Sequence, residues 1–379
     1  MIKETMTREE RIRAAVNLEV SDRVPIVPLI YQFVFRYQGI KHTEGLKDAE
    51  KAFKALTDTF DDLGGFDAMI EPDFIWPASS WRICAAPTPY VVPGRDRISD
   101  DQSLQVAEQE LMTVEDYDKI ISKGWNGFCE EFLPRLRGRS LESLDANMKK
   151  LAAIRKRDAE RWKERGVPVL SGASTMSCLM ILSLSRTLTQ FTLDLYRIPD
   201  KVEAVMDAMV DDLIENITND MRFTGLPWIY FPLERGSCFY YPLKIFERFE
   251  FPYLKKMVDA FVAKGFTPML HFDTDWTMNL PYLKDLPKGK CICELDSTSD
   301  IFKAKEILKG HMCIMGDVPA TKLALGTPED VTAYCEKLID VVGKDGGFIL
   351  STGCECPVDA KFENVKAMVD SVKNHLPAC

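Results

Sequence analysis

The chain has 379 residues, 46% hydrophobic and 28% charged, a globular balance with enough mass for one large domain. Its 48 basic and 58 acidic side chains leave a net charge of −10. No basic stripe is present to neutralise phosphate, which excludes nucleic acid and anionic membranes as expected partners. The longest strongly apolar run, Cys178 to Leu184, is far too short to span a bilayer, and the N-terminus is charged from its start, so a cytoplasmic protein is expected. Eleven cysteines without a framework fit a reducing compartment and, with sixteen methionines, an organism living without oxygen.

Thr7 and Glu10 form a T-x-x-E capping box that opens the first helix. A strand at Val24–Ile30, a helix at Gly45–Leu63 and a short strand at Phe66–Ile70 follow. Pro72 to Gln105, rich in proline and carrying Trp76 and Trp81, reads as a hairpin-like insertion after the second strand. A long charged helix is expected over Leu141–Gly166. From there the alternation is regular. Strand Val167–Leu170 leads to a helix from Cys178 and a long amphipathic helix from Pro199. Strands at Trp228–Leu233, Thr267–Phe272, Lys290–Leu295, Met312–Asp317 and Phe348–Thr352 are spaced by helices at Pro242–Gly265, Asp300–Leu308 and Pro328–Val342, with a last helix at Ala360–Asn374. Only an irregular loop is expected between the strands at 267–272 and 290–295. About eight strands alternating with helices imply right-handed parallel crossovers closing into a (β/α)8 barrel. The expected architecture is an α/β TIM barrel with an N-terminal helical extension, a single domain over residues 1–379. No glycine-rich fingerprint follows the first strand, which disfavours a dinucleotide-binding sheet.

In such a barrel the strand C-termini converge on the face where chemistry sits. Glu234, His271 and Cys354 stand just past, or at, the ends of three predicted strands. A carboxylate, an imidazole and a thiolate make a candidate zinc site with an open fourth position. Each has a plainer reading alone: Glu234 as a salt bridge to Arg235, His271 as a hydrogen-bonded structural residue, Cys354 as a core thiol. Period two sends Asp273 to the same side as His271, as a further oxygen ligand or as a group that orients the imidazole or moves a proton. Cys356 shares a side with Cys354, but Cys354 follows Gly353 where the backbone leaves the barrel, and "CICEL" reads as plain core strand. Asp317, Tyr31, Phe33, Tyr240 and Trp276 are candidate substrate-binding residues, the aromatics bunching after strand ends as a pocket for a planar apolar ligand would require. Phe35 and Tyr241 belong to the same bunches.

The stretches "MTREERIRAAVNLEVSDRVPIVP", "FTLDLYRIPDKVEAVMD", "FPYLKKMVDAFVAKGFTPMLHFD", "MGDVPATKLALGTPEDV" and "STGCECPVDAKFENVKAMVDSVK" make the chain resemble the uroporphyrinogen decarboxylase superfamily, and within it the cobamide-dependent methyltransferases. The resemblance implies the same (β/α)8 barrel, a mouth that meets a separate corrinoid protein, and a bound zinc ion; it admits a homodimer. Decarboxylation itself is not expected. Where the decarboxylases carry an arginine-bearing segment for propionates, this chain reads "YQFVFRYQGI", with Arg36 alone. The thiol-methylating members use a His-x-Cys pair and a distant Cys. His271 and Cys354 match two of these, and Asp273 replaces the third.

That replacement brings the pattern closer to the ether-cleaving methyltransferases of anaerobic bacteria, whose zinc site is described as two glutamates and a histidine with a Glu-x20-His spacing. Glu250 and His271 have that separation; Glu234 is preferred because Glu250 falls in a predicted helical stretch, and Glu250 is kept as its alternative. The implied activity is methyl transfer from a phenyl methyl ether to the cob(I)alamin of a corrinoid partner. Its alternatives are methyl transfer from a methylcobamide to a thiol, and a non-catalytic scaffold that docks a corrinoid protein.

Overall fold

The computed structural model describes residues 2–72, 90–91, 93, 98–102 and 105–377. Two short antiparallel strands, β1 (Tyr90–Val91) and β2 (Gln105–Val106), are the paired strands among the described residues of the expected insertion. Most of the rest of that segment, Trp76 and Trp81 included, lies outside the described residues.

Six parallel strands then follow in sequential spatial order: β3 (Ala173–Ser174), β4 (Trp228–Pro232), β5 (Thr267–Phe272), β6 (Ile292–Leu295), β7 (Cys313–Val318) and β8 (Phe348–Thr352). The ring closes through two further segments of extended chain. Leu350 of β8 bridges Ile26 in parallel, with Val27 N donating to Leu350 O at 2.9 Å and Leu350 N to Pro25 O at 2.8 Å. Asp67 N donates to Ile26 O at 2.8 Å, Met69 bridges Val169, and Gly172 N reaches Trp228 O at 2.7 Å. Counting the segments around Ile26 and Met69, eight parallel strands form the closed (β/α)8 barrel that the alternation predicts. The strands read as continuous apolar runs because helices cover one face and the barrel interior the other.

The first helix, Arg8–Val16, carries the predicted Thr7/Glu10 capping box. It is pinned under the barrel by a buried ion cluster. Asp67 receives Arg11 Nη1 at 2.7 Å, Arg23 Nη1 at 2.7 Å and the Ile26 amide at 2.8 Å. Arg11 Nε also meets Asp22 at 2.6 Å. One carboxylate thus ties the helical extension to the first two strands.

The early chain departs from its expected boundaries. The strand at 24–30 contributes a single bridge and then turns into a helix, Tyr31–Tyr37. The helix at 45–63 is two, His42–Lys47 and Ala49–Asp62, with Asp48 capping the second through the amides of Glu50 and Lys51. A helix over Val114–Arg137, broken at Gly124 by a φ of 74°, was not expected from the sequence. The predicted helical stretch at 242–265 contains a π-turn, Phe246–Glu250, between α-helical pieces. The stretch expected to be an irregular loop contains a 3-10 turn, Leu280–Asp285.

Candidate metal centre

β5 delivers His271 as its penultimate residue, and Asp273 follows one step past the strand end. β8 ends at Thr352, where the backbone turns through Gly353 to present Cys354. A side-chain carbon at position 353 would approach the Ser297 amide nitrogen to 3.0 Å, so the turn is made close against the neighbouring loop. These two strand ends bring together residues 83 positions apart in sequence: Cys354 Sγ lies 3.7 Å from His271 Nε2. Asp273 Oδ1 lies 3.2 Å from the same nitrogen. His271, Asp273 and Cys354 each offer a donor atom within 4.8 Å of the others. With metal–nitrogen and metal–oxygen bonds of about 2.0 Å and a metal–sulfur bond of about 2.3 Å, donors on a tetrahedron sit roughly 3.3–3.6 Å apart. Nitrogen, oxygen and sulfur donors at the spacing found here fit a zinc ion.

Of the oxygen donors expected from the sequence, Glu234 and Asp273, Asp273 falls within the three-residue group and Glu234 is not one of its members. Glu234 follows β4 by two residues, outside the three-residue group but within its field. Burial, then the neighbouring Asp273 charge, push its carboxyl up to about 7, against smaller opposite pulls from His271 and Arg235. Asp273 moves the other way. Burial works to raise it, but His271 and the Cys354 thiol outweigh that and hold it below the ordinary carboxylate range. Burial also disfavours charge on His271, yet Tyr230, Glu294 and Asp273 around it leave its basicity well above the usual value. Burial raises the Cys354 thiol, with the imidazole pulling back.

Two neighbours escaped the sequence reading. Tyr230 of β4 lays its ring 5.4 Å from the His271 ring at 43°. Glu294 of β6 is fully buried and places Oε2 3.0 Å from His271 Nδ1. Both sit inside apolar strand sequences, "WIYFP" and "ICEL", where the one signal is a polar side chain at an otherwise hydrophobic position.

The other candidates are scattered. Glu250, the alternative donor, is fully buried outside the group; its Oε2 accepts from Ser177 Oγ at 2.9 Å, and it lies against Gly236, where an added Cβ would meet its carboxyl carbon at 2.8 Å. Tyr31, Phe33 and Trp276 are packed in the core rather than facing open space. The helix over Tyr31–Tyr37 accounts for the first two: Tyr31 hydroxyl donates to Glu71 O at 2.9 Å, and Phe33 stacks on Tyr37. Trp276 donates its indole N–H to Asp273 O at 2.8 Å and so buttresses the loop that carries Asp273. Tyr240 alone of the expected aromatics stays at the surface, 37% exposed beside Phe239. Asp317 is buried and accepts from Tyr334 hydroxyl at 2.7 Å; burial raises it to about 7.

The nine described cysteines are free thiols. Among the described residues no helix is long and apolar enough to cross a membrane.

The family described as uroporphyrinogen decarboxylase (URO-D) matches residues 145–375. A uroporphyrinogen decarboxylase of Anaeromyxobacter dehalogenans is 33% identical over 126 residues, 33% of this chain and 35% of the relative. A methylcobamide:CoM methyltransferase MtbA of Methanosarcina acetivorans is 30% identical over 132 residues, 35% and 37% of the two chains. These alignments span little more than a third of either relative. The solved structure of a methyltransferase from Methanosarcina mazei superposes with a TM-score of 0.71, covering 97% of this chain and 99% of the other at 16% identity, a likeness of fold. Since the family match takes in more than half of its residues, this chain belongs to the uroporphyrinogen decarboxylase family.

Proposed function

We propose that the protein is a zinc-dependent, corrinoid-dependent methyltransferase that moves the methyl group of a phenyl methyl ether to the cob(I)alamin of a partner corrinoid protein. The observation that carries this reading is the group His271, Asp273 and Cys354 at the barrel mouth, with a carboxylate where a second thiolate would otherwise stand. The relatives named as methylcobamide:CoM methyltransferases support methyl transfer as the class of reaction.

His271, Asp273 and Cys354 are the residues that would hold the metal, Asp273 taking the part first expected of Glu234. A zinc ion there supplies Lewis-acid stabilisation of negative charge on a leaving oxygen, and one thiolate rather than two leaves it more electron-poor. Glu234 then becomes the proton donor. Its environment and that of Asp273 push two neighbouring carboxyls apart, one toward neutrality and one toward ionisation, which is the pattern of an acid paired with a fixed anion. In the transfer, the methyl–oxygen bond would break with its electron pair passing to the oxygen, and the methyl group would pass to the partner's cob(I)alamin as its acceptor. Glu234 would give that oxygen its proton, so that a free phenol leaves. Trp276 holds the Asp273 loop in place, and Tyr240 with Phe239 at the rim offers aromatic surface to the arene.

A second reading, methyl transfer from a methylcobamide to a thiol, is favoured by the named function of the Methanosarcina relatives. Incubation with reduced corrinoid protein and a panel of methoxyarenes, methylamines and thiols, followed through the cobalt spectrum, separates the two. Methylcobalt formation from a methoxyarene supports the first; demethylation of methylcobalt by a thiol, with inert methoxyarenes, replaces it with the second.

A further inference from the structure

We propose that Glu294 is a positioning residue for the metal centre: it holds His271 with its proton on Nδ1, so that the Nε2 lone pair faces Asp273 and Cys354. The inference rests on the reading that these three side chains hold a metal.

Glu294 and His271 are register partners on adjacent parallel strands, β5 and β6, so their side chains leave the sheet on the same side. Glu294 is fully buried, and neither of its carboxyl oxygens has a hydrogen-bond partner among the described residues. Its titratable neighbour is the imidazole, with Oε2 3.0 Å from Nδ1. That contact is at ion-pair distance without the alignment of a hydrogen bond.

A carboxylate in a barrel interior costs several kcal/mol unless a donor compensates it. "ICEL" is otherwise apolar, so no packing reason asks for glutamate at this place. A neutral imidazole carries its proton on one nitrogen and a lone pair on the other. A metal needs the lone pair, and both other donors lie on the Nε2 side, at 3.2 and 3.7 Å. The proton must then sit on Nδ1, toward Glu294. The Tyr230 ring flanks the imidazole and narrows its choice of orientation. A carboxylate behind a ligating histidine fixes tautomer and ring angle and raises the donor strength of the nitrogen, and losing such a partner typically weakens metal binding about 10–100-fold.

The test is zinc affinity by chelator competition, with the visible spectrum of the cobalt(II)-substituted protein as a second readout, for the wild type, E294Q, E294A and H271A. Glu294→Ala is expected to bind zinc about 100-fold more weakly and Glu294→Gln about tenfold more weakly, since the amide oxygen still accepts from Nδ1. The cobalt(II) bands should shift in both. Should E294A fail to fold, the near-isosteric E294Q decides alone. Wild-type zinc affinity and an unchanged cobalt(II) spectrum in E294Q overturn the proposal. If H271A loses zinc while the Glu294 variants keep it, only the positioning role falls. If H271A also binds zinc as tightly as the wild type, the metal centre itself falls.

Discussion

Exchanging the two carboxyl roles makes the sharpest prediction. Glu234 stands outside the donor group with its carboxyl raised to about 7, and Asp273 stands 3.2 Å from the imidazole nitrogen with its carboxyl depressed. Glu234→Gln should therefore keep the metal and lose the proton. General acid catalysis of this kind contributes about 10²–10⁴-fold, so methyl transfer from a methoxyarene should fall by roughly that factor. Because the protonated form is the active one, the wild-type rate should decline as pH rises through about 7, and that limb should vanish in E234Q. Asp273→Ala should instead empty the centre, with chelator competition showing loss of zinc before any question of rate. The assay is stopped-flow cobalt spectroscopy over pH 5–9 (about two units either side of the Glu234 midpoint) with total zinc measured in parallel. Zinc lost in E234Q and retained in D273A would refute the exchange and return Glu234 to the ligand set.

Two predictions concern stability. Asp67→Ala leaves Arg11 and Arg23, both buried, without their shared carboxylate; removing one partner of a buried ion pair costs about 3–5 kcal/mol, to be read as a lower urea midpoint at unchanged slope. Glu250 is fully buried and its carboxyl is raised to about 8, burial outweighing the Ser177 hydrogen bond. A raised folded value means stability present below the ordinary carboxyl range and lost as pH climbs from about 4.5 toward 8. Glu250→Gln should remove that slope and be the more stable form at pH 9 (about one unit above the folded midpoint); parallel stability curves for the two proteins would contradict it.

The later barrel was legible because its strands are apolar runs bounded by turn residues. β5 and β8 fall where the sequence placed them, and His271 and Cys354 meet as strand-end logic requires. The early barrel was harder to read. Its first two strands contribute one isolated bridge each, too little ladder to impose a period-two pattern, and "YQFVFRY" turns helical. The helix at 114–137 hid behind Gly124 and Pro134, both of which read as breakers. Glu294 was overlooked for a different reason. In a strand buried on both faces, periodicity carries no information about side, so only the cost of burying a carboxylate marks it out.

That cost gives the barrel interior its direction. At the lower level Met269, Ile292 and Cys313 are register partners and Ile349 pairs with Met315, all fully buried and apolar, as a barrel core requires. Toward the mouth the same strands present His271, Glu294, Asp317 and Ser351, also buried but polar. A sequence selected for stability alone would continue the apolar layers upward, since replacing a buried ion pair by apolar residues of similar volume is often neutral or stabilising by about 1–4 kcal/mol. The double variant H271L/E294L therefore should fold and match or exceed the wild-type melting temperature while binding no zinc at the mouth. The single variant H271L should be less stable than the double, because it strands the Glu294 carboxylate. A double variant that unfolds more readily than H271L would mean that the imidazole–carboxylate pair is part of the barrel's own packing, and the case for reading it as function would lose its energetic basis.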